Sequence, residues 1–316
     1  MGFPIRYHAY DPGQVRSRFR DLQAAIAGGS LGDTLIVPAG VYQPFTVDRP
    51  LTILGEGRPS VRAKTQNPAI TIRGHGVQIL GFQVDGVPKN QEDKFRFYMD
   101  LASRKPQYSL NQPNSGILVD GNDVLLEDMI VNGSEAGILV KYARNFTILN
   151  SSIQRCDIGL LIQEGSGGRV AGSTFQDCKK YGASIEASSG FSLERNQVIG
   201  NPGAGIMLKD STGCTLRWNS FIENWQGLFL WNSSFCDLME NEADRNVYYG
   251  MVIASGSNNS ILNNEARKTG GGGYGFQGFG ISIQETSTYH QVAGHVVTVI
   301  LTGLDMTSVP AFICFS

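Results

Sequence analysis

The sequence predicts an all-β solenoid, in which short parallel strands coil around one axis, and three observations support this fold class. Seven glycines, each followed by mostly apolar residues, recur 21 to 23 residues apart, a period typical of coiled repeats. A small polar position recurs in the same register. The composition of 39 glycines, 41% hydrophobic residues and 17% charged residues suits many short strands joined by turns. The seven glycines are Gly116, Gly137, Gly159, Gly182, Gly205, Gly227 and Gly250.

The polar position follows each glycine by about a dozen residues and recurs every 22 or 23 residues. Asparagine tolerates the left-handed backbone of a tight corner, and stacked amides hydrogen-bond between coils. The column therefore predicts an asparagine ladder. It holds Asp128, Ser151, Ser173, Asn196, Asn219, Asn241 and Asn264.

The repeat also predicts the domain organisation. A continuous solenoid forms one domain because each coil contacts only its neighbours, so all 316 residues are expected to form a single domain. Residues 1–30 are predicted to form an N-terminal cap with a short helix before Gly29, and residues 31–285 to form about ten coils. Residues 87–115 interrupt the repeat with charged and aromatic residues, as either a binding loop or a shield over an apolar strip. Residues 286–316 are predicted to be a C-terminal cap or tail.

Bulk properties restrict the partners. A net charge of −2 gives no reason to expect nucleic acid or an anionic membrane. No apolar stretch approaches the roughly 20 residues of a membrane helix. The N-terminus lacks a basic segment followed by an apolar one, so a signal peptide is expected to have been removed or never present.

Cysteine spacing leaves two interpretations open. Cys214 and Cys236 lie one repeat apart, as nearly do Cys156 and Cys178, which allows a disulfide in either pair. The favoured interpretation is that these residues stack as small buried side chains inside the coil.

The repeats, the asparagine-rich column and the opening segment Gly32-Asp-Thr-Leu-Ile-Val-Pro-Ala-Gly-Val-Tyr42 resemble the right-handed parallel β-helix superfamily typified by pectate lyases. Within it the chain is most similar to the carbohydrate-binding and sugar-hydrolase-type repeat group, over roughly residues 30–285. The resemblance implies a right-handed coil, a polysaccharide partner and an extracellular or periplasmic location. It does not fix an activity, because this fold hosts lyases, hydrolases, epimerases, tailspikes and proteins without catalysis.

Motifs of the superfamily's enzymes are mostly missing. Of the polygalacturonase motifs only Gly74-His75-Gly76 is present, without the aspartates that accompany it. The Asp-Pro-His motif of alginate epimerases has no match, since Asp11-Pro12-Gly13 lacks the histidine and lies outside the repeats.

Strand geometry separates an inner face from an outer face. The first and third residues after each glycine are uniformly apolar and are predicted to point inward, so the second and fourth point outward. The fourth positions form what we call the outer ladder: Asp120, Lys141, Gln163, Glu186, Lys209, Trp231 and Ala254. The second positions form the outer apolar column: Leu118, Leu139, Leu161, Ser184, Met207, Phe229 and Val252.

The outer apolar column is more apolar than a solvated strip should be. Sugar rings, the 87–115 insertion or a second subunit would each cover it, and the last option predicts a homo-oligomer through this column.

The leading functional hypothesis is a lyase or C5-epimerase that acts on uronate-containing glycans. Such chemistry needs a cation for the carboxylate, a base for the carbon acid and a proton donor. The candidate catalytic residues are Lys141, Arg144, Gln163, Glu186 and Lys209, with a structural ion pair as the alternative role of Lys209 and Glu186. The candidate substrate-binding residues are Asp120, Lys179, Trp225, Phe229, Trp231 and Tyr249.

Two rival functions remain. A glycosidase needs two carboxyl groups about 5 to 9.5 Å apart, whereas Asp120 and Glu186 are three coils or about 14 Å apart; only Glu164 or Asp210 near Glu186 keep hydrolysis open. The other rival is a non-catalytic glycan-binding or structural β-helix, such as a tailspike-like adhesin.

No metal site or certain cofactor is predicted, because the histidines are scattered. Calcium binding by acidic turn residues is possible in principle, but no recognisable cluster marks it.

Overall fold

A computed structural model of the protein describes residues 21–88, 113–269, 279–283, 287–288 and 290–299. Most of the 87–115 insertion and of the 286–316 tail, and the first part of the predicted N-terminal cap, lie outside these residues, so the predictions for them remain untested.

Within the described residues, nearly all regular structure consists of short strands in three long parallel sheets, A, B and C, numbered below in chain order. Sheet A contains β1 (Thr34–Pro38), β4 (Thr52–Glu56), β7 (Gln78–Leu80), β10 (Leu125–Glu127), β13 (Thr147–Leu149), β16 (Arg169–Ala171), β19 (Ser192–Glu194), β22 (Thr215–Arg217), β25 (Asp237–Met239), β29 (Ser260–Leu262) and β33 (Gln291–Ala293). Sheet B contains β2 (Val41–Tyr42), β5 (Ser60–Arg62), β8 (Gln83–Asp85), β11 (Ile130–Asn132), β14 (Ser152–Gln154), β17 (Thr174–Gln176), β20 (Gln197–Ile199), β23 (Ser220–Ile222), β26 (Glu242–Asp244), β30 (Glu265–Thr269) and β34 (Val296–Val299). Sheet C contains β3 (Phe45–Val47), β6 (Ile70–Ile72), β9 (Ser115–Val119), β12 (Ala136–Lys141), β15 (Ile158–Gln163), β18 (Tyr181–Glu186), β21 (Ala204–Lys209), β24 (Gln226–Trp231), β27 (Tyr249–Ala254) and β31 (Phe279–Ile283). A small fourth sheet pairs β28 (Gly256–Ser257) with β32 (Ser287–Thr288).

The chain visits sheets A, B and C in turn, and each strand pairs in parallel with the equivalent strand of the next coil. This is the all-β parallel β-helix of about ten coils that the glycine period predicted. Inward side chains of the three sheets form one apolar core, in which residues such as Ile138, Val140, Leu160 and Ile162 are fully buried.

The predicted N-terminal helix is present as α1 (Leu22–Gly28). The side chain of Asp21 caps it by accepting a hydrogen bond from the backbone N–H of Ala24, and Leu22 and Ile26 are buried. Gln23 exchanges two hydrogen bonds with the backbone of Thr46 in β3, at 3.1 and 2.7 Å. The helix therefore closes the first coil at sheet C.

The asparagine ladder runs along the corner between sheets A and B, which we call the AB corner. The side-chain Nδ2 of Asn196 donates to the side-chain Oδ1 of Asn219 at 3.0 Å. The equivalent bonds from Asn219 to Asn241 and from Asn241 to Asn264 are both 2.9 Å. This part of the prediction is confirmed.

Two details of the predicted ladder are wrong. Asp128 is exposed, and the ladder position of its coil is held by Met129, whose N–H donates to the Ser151 hydroxyl at 3.1 Å. The left-handed conformation belongs to the residue before each ladder position, because that residue makes the turn while the ladder side chain points inward. These corner residues are Asp128, Asn150, Gly172, Arg195, Trp218, Glu240 and Asn263.

A second ladder, at the corner between sheets B and C, was not predicted. Asn201 donates to Asn224 at 2.9 Å and Asn224 donates to Asn246 at 3.2 Å. In the preceding coils Cys156 and Cys178 hold the same position, where both are buried free thiols. Cys214 and Cys236 are likewise buried and free, so the stacking interpretation of these four residues is confirmed. Burial raises the pKa of the Cys156 and Cys178 thiols.

Histidines hold two corner positions in the last described coil: His295 continues the AB-corner ladder, and His290 follows Cys236 and Asn259 at the corner between sheets C and A. The backbone N–H of Asn259 donates to Nδ1 of His290, and that of Asn264 donates to Nδ1 of His295, both at 3.2 Å. Each Nε2 is buried without a hydrogen-bond partner, and burial lowers the pKa of both imidazoles.

Candidate functional site

Sheet C differs from the other two sheets in the burial of its strands. In the six-residue strands from β12 to β27 at least the first five residues are buried, and in most of them only the last is half-buried. The outward side chains of these strands form a second apolar cluster, separate from the core, that includes Leu139, Leu161, Met207, Phe229 and Val252.

Most of the outer apolar column is thus buried within the single chain, with Leu161, Ser184 and Met207 fully inaccessible to solvent and Leu118 half-buried. Of the three covers considered for this column, neither sugar rings nor a second subunit is needed to bury these residues. A homo-oligomer through this column stays a prediction.

The outer ladder lines up as predicted. Along β12, β15, β18, β21 and β24 the register pairs Lys141 with Gln163, Gln163 with Glu186, Glu186 with Lys209, and Lys209 with Trp231. Because paired residues of parallel strands point to the same side, these five side chains share one face. All but Glu186 are half-buried, so they lie where the covered part of sheet C meets solvent.

The ladder continues at both ends. Asp120 follows β9 directly, is exposed, and its N–H donates to the carbonyl of Ile72 at 2.8 Å. Ala254 pairs with Trp231 at the other end and is buried in the second apolar cluster. Asp120 therefore extends the accessible ladder, whereas Ala254 ends it.

Glu186 lies at the centre of the ladder and is 6% exposed. Its Oε1 accepts a hydrogen bond from the Ser184 hydroxyl at 3.0 Å, and its Oε2 accepts one from Nε2 of Gln163 at 3.3 Å. Among the ion pairs of the described residues, none joins Glu186 to Lys209, although the two residues pair in register. The structural ion pair that we considered for them is therefore not formed.

The turn after sheet C forms an exposed rim beside the ladder. Its first position is left-handed in successive coils and exposes Tyr142, Glu164, Ala187 and Asp210. Asn232 donates to Asp210 at 2.7 Å. In the coil of Glu186 the rim residue is Ala187, whose side chain is shorter than those of Glu164 and Asp210 in the coils on either side. The rim therefore projects least beside Glu186.

Arg144 lies two residues further along this turn. It is exposed, and its backbone N–H donates to the Asn122 side chain at 2.9 Å. Its position leaves the guanidinium on the solvent side of the rim, on the same corner as Lys141.

The other predicted binding residues lie at the opposite ends of the strands. Lys179 is exposed and forms an ion pair with Asp157 at 3.0 Å. Trp225 packs against Tyr248 with ring centroids 6.0 Å apart, and Tyr249 stacks on Phe279 at 5.3 Å. These residues are separated from the ladder by the length of a sheet C strand.

Phe229 and Tyr249 were expected to contact substrate, but they are only 7% and 6% exposed. Both belong to the second apolar cluster; periodicity placed Phe229 in the outer apolar column but left open what covers it, and it gave no signal for Tyr249. Phe229 supports the site indirectly, because its ring packs edge-on against Trp231 with centroids 6.0 Å apart.

Metal-binding groups were also sought around the fold. The described ranges contain no group of three or more His, Cys, Asp or Glu side chains placed to hold a metal ion, so the possible calcium site gains no donor set there. In the same part of the chain no helix has the length and apolar character of a membrane span.

With this geometry established, the chain was compared with known proteins. A family model described as "Periplasmic copper-binding protein (NosD)" matches residues 103–267, which is more than half of the chain. The chain belongs to the NosD family. A search of curated proteins finds no match.

The description of the NosD family names copper, which favours sulfur and imidazole ligands. In this NosD chain the four described cysteines are buried free thiols at two separate corners, and no described cluster combines them with histidine or carboxylate. The residues that the structure describes therefore do not fit a copper site.

Solved structures similar to this NosD chain include a DFA-IIIase, a mannuronan C-5 epimerase and a bacteriophage tailspike protein. DFA-IIIase from Arthrobacter chlorophenolicus, in complex with DFA-III, has a TM-score of 0.68 and 16% identity, covering 94% of this chain and 84% of that one. The A-module of mannuronan C-5 epimerase AlgE4 from Azotobacter vinelandii has a TM-score of 0.64 and 16% identity, covering 89% and 92%.

The enzymatically active domain of tailspike protein 2 from bacteriophage CBA120 is also similar, with a TM-score of 0.60 and 12% identity. The match covers 77% of this NosD chain but only 40% of the tailspike chain. At these identities the three likenesses establish the shared fold alone.

Proposed function

We propose that this NosD-family chain binds an extended acidic polysaccharide along the outer ladder and acts on it as a uronate lyase or C5-epimerase. One observation carries the proposal. Lys141, Gln163, Glu186 and Lys209 stand in register on consecutive strands, so two cations flank a hydrogen-bonded amide and carboxylate. The fold shared with a mannuronan C-5 epimerase and a DFA-IIIase supports the polysaccharide class.

The spacing of the ladder suits a polymer. Strands in a sheet are about 4.8 Å apart, so Lys141 and Lys209 are about 14 Å from each other at the backbone, with Gln163 and Glu186 between them. A chain laid across the strand ends would therefore meet cations at two points. Arg144 on the adjacent rim offers a planar guanidinium, which binds carboxylates in a bidentate manner.

The proposed chemistry begins with proton removal from C5 of a uronate. A cation next to the substrate carboxylate stabilises the negative charge that develops there. In elimination the C5–H electrons form a C4–C5 double bond, the C4–O bond breaks, and the departing oxygen receives a proton. In epimerisation a proton returns to C5 from the opposite face.

Lys209 is the proposed group nearest this chemistry, as base or as carboxylate-binding cation. Glu186 is proposed to act by position, because both its oxygens already accept hydrogen bonds and one of them holds Gln163. Trp231, half-buried beside Lys209, would provide an apolar face for a sugar ring.

The experiment is to incubate the protein with pectate, alginate and glycosaminoglycans. Ultraviolet absorbance reports the unsaturated product of elimination, and incorporation of solvent deuterium at C5 reports epimerisation. Lys209→Met should lower the rate of the active substrate by about 100-fold or more. Lys64→Met, which removes an exposed lysine outside sheet C, is the matched control and should leave the rate unchanged. Absence of either product on every acidic glycan would overturn the catalytic part of the proposal.

A second candidate, glycan binding without catalysis, is favoured by the environment of Glu186. Both oxygens of this carboxylate already accept hydrogen bonds, from Ser184 and Gln163, and the residue is buried, so neither oxygen is free to contact a substrate. Binding of an acidic oligosaccharide without any turnover, weakened by Lys209→Met, would select this candidate. Hydrolysis has less support: Glu164 and Asp210 each lie one coil from Glu186, but both oxygens of the Glu186 carboxylate are already engaged by Gln163 and Ser184.

The family description also supports a location outside the cytoplasm, and we propose the periplasm. Copper is not part of the proposed function, since the described residues lack a donor set for it. Equilibrium dialysis of the purified chain against copper, with Cys214→Ser/Cys236→Ser as the comparison, tests this exclusion.

A further inference from the structure

The AB corner carries an exposed tryptophan on the side of the coil opposite sheet C. Trp218 is 40% exposed and adopts a left-handed backbone, with φ of 57°. A bulky side chain in that conformation is an outlier, and the other six residues at this corner position are all glycine, polar or charged. The tryptophan is therefore not explained by the needs of the turn.

Two arginines stand over this indole. The guanidinium carbon of Arg195 is 4.2 Å from the ring centroid, and that of Arg217 is 4.8 Å away. Arg195 occupies the same corner position one coil earlier, and Arg217 is the last residue of β22. Positive charge and an aromatic face are thus brought together at the surface.

Neither guanidinium forms an ion pair within the described part of the chain, although Glu194 pairs in register with Arg217 and directly precedes Arg195. Arg217 donates from Nη2 to the sulfur of Met239 at 3.0 Å, and its Nε is buried without a hydrogen-bond partner. Neither Arg195 nor Arg217 takes part in any of the ion pairs found among the described residues.

Nearby carboxylates have other partners. Glu194 accepts hydrogen bonds from the Ser192 hydroxyl at 2.8 Å and from Arg169 at 3.0 Å, and these two bonds lower its pKa. Glu240 accepts a hydrogen bond from the Trp218 indole N–H. Glu240 therefore holds the indole, and Glu194 is engaged by Ser192 and Arg169, so neither carboxylate forms an ion pair with Arg195 or Arg217.

We propose that Trp218, Arg195 and Arg217 form a second glycan-binding site, which holds one uronate unit of an acidic polysaccharide. A uronate combines the two features that the cluster lacks: a carboxylate for the guanidinium groups and an apolar ring face for the indole. The choice of a uronate rests on the proposed function. The site itself does not, because it lies on another face of the coil and contains none of the outer-ladder residues.

The geometry also defines what the site does. The two carboxylates beside it, Glu194 and Glu240, already accept hydrogen bonds from Arg169 and Trp218, so the site is proposed to bind without reacting and to anchor a long chain at a distance from the outer ladder. Two binding faces on one rod increase the affinity for a polymer more than for a short oligomer, because the second contact becomes intramolecular.

The test is calorimetric titration of the full chain with trigalacturonate, which should reveal two sites. Trp218→Ala and the double variant Arg195→Gln/Arg217→Gln should each weaken one site by about tenfold or more and leave turnover at the outer ladder unchanged. Trp218→Phe, which keeps an aromatic face, should retain most of the binding. Arg245→Gln, at an exposed arginine that pairs with Glu223, is the control for loss of a surface cation.

Three results separate the outcomes. The proposal is supported if Trp218→Ala loses the AB-corner site and Lys209→Met retains it. This result supports the proposal whether or not the chain is catalytic. Unchanged stoichiometry and affinity in Trp218→Ala would overturn it. Equal binding of inorganic sulfate in place of trigalacturonate would also overturn it, because the cluster would then recognise an anion without the sugar ring.

Discussion

Sheets A and B are built differently from sheet C, although all three line the same core. Strands of sheets A and B, such as β13 and β14, are three residues long and bury only the central side chain. Strands of sheet C, such as β15, are six residues long and bury five side chains in succession. Sheet C is therefore apolar on both faces, whereas sheets A and B are apolar on one.

This difference shows how one repeat separates stability from binding. The outward side chains of sheets A and B are half-exposed, and the AB corner between these sheets carries the cluster of Trp218, Arg195 and Arg217. The inward and outward side chains of sheet C each form an apolar cluster, and the outer ladder at the ends of its strands is accessible. A rigid sheet with one accessible edge is a suitable base for positioning polar groups.

The largest expected effect compares three leucines that differ only in where they point. Leu160 faces the core and Leu161 faces the second apolar cluster, while Leu149 is half-exposed on the outer face of sheet A. Leu160→Ala and Leu161→Ala should each cost about 2 to 5 kcal/mol of unfolding free energy, since both leave a cavity. Leu149→Ala should cost about 1 kcal/mol or less.

Urea denaturation monitored by circular dichroism measures all three variants. If Leu161→Ala resembled Leu149→Ala, the outer face of sheet C would be open to solvent and the contrast between the sheets would be lost.

A residue's environment could be predicted from the sequence where the repeat alone determines its neighbours. The glycine period places Gln163, Glu186 and Lys209 on consecutive strands, and their register follows from the repeat alone. The burial of Leu161 and Phe229 does not follow, because the period separates inward from outward positions and does not tell which outward positions are covered. Both residues satisfy the outward pattern and are nevertheless inaccessible.

The errors in the corner columns have a local cause. A polar residue such as Asp128 suits both a left-handed turn and a ladder position. The sequence therefore could not show that Asp128 belongs to the turn and that the ladder position is the next residue. Trp218 could have been found by asking which residues break the small or polar pattern of the turn, and Arg195 lies one repeat before it.

A smaller effect is expected at the AB corner, where the ladder joins sheets A and B. Asn219 donates to Asn241 and to the carbonyl of Leu193, and accepts from Asn196, so Asn219→Ala leaves several buried polar groups unpaired. The expected cost is about 2 to 3 kcal/mol. Thermal unfolding of Asn219→Ala measures it.

Asn150→Gly is the matched control, because Asn150 is an exposed asparagine with left-handed backbone at the same corner. It should change stability by about 0.5 kcal/mol or less. Equal effects of the two variants would mean that the buried amides add nothing beyond the turn.

The smallest effect on stability is expected only at acidic pH, in the last described coil of sheets A and B. Burial lowers the pKa of His290 and His295 in the folded chain, so the unfolded state binds protons first as the pH falls. The stability of the last coil should therefore decrease below about pH 6.5, the ordinary pKa of histidine. Protonation also removes the Nδ1 acceptor that each backbone N–H uses.

Amide hydrogen exchange of residues 259–266 as a function of pH measures this effect. His295→Asn should keep the ladder position filled and reduce the acid sensitivity, because asparagine does not titrate. An unchanged pH profile in that variant would assign the sensitivity to other groups.

The four buried thiols of the described residues can report local opening of the fold. Cys156 and Cys178 line one corner of the coil, Cys214 and Cys236 line another, and none is accessible to solvent. A thiol-modifying reagent therefore reacts at these positions only while the corresponding corner is transiently separated from its neighbours. Mass spectrometry of the labelled peptides would time the opening of two corners in the unmodified protein, without any introduced probe.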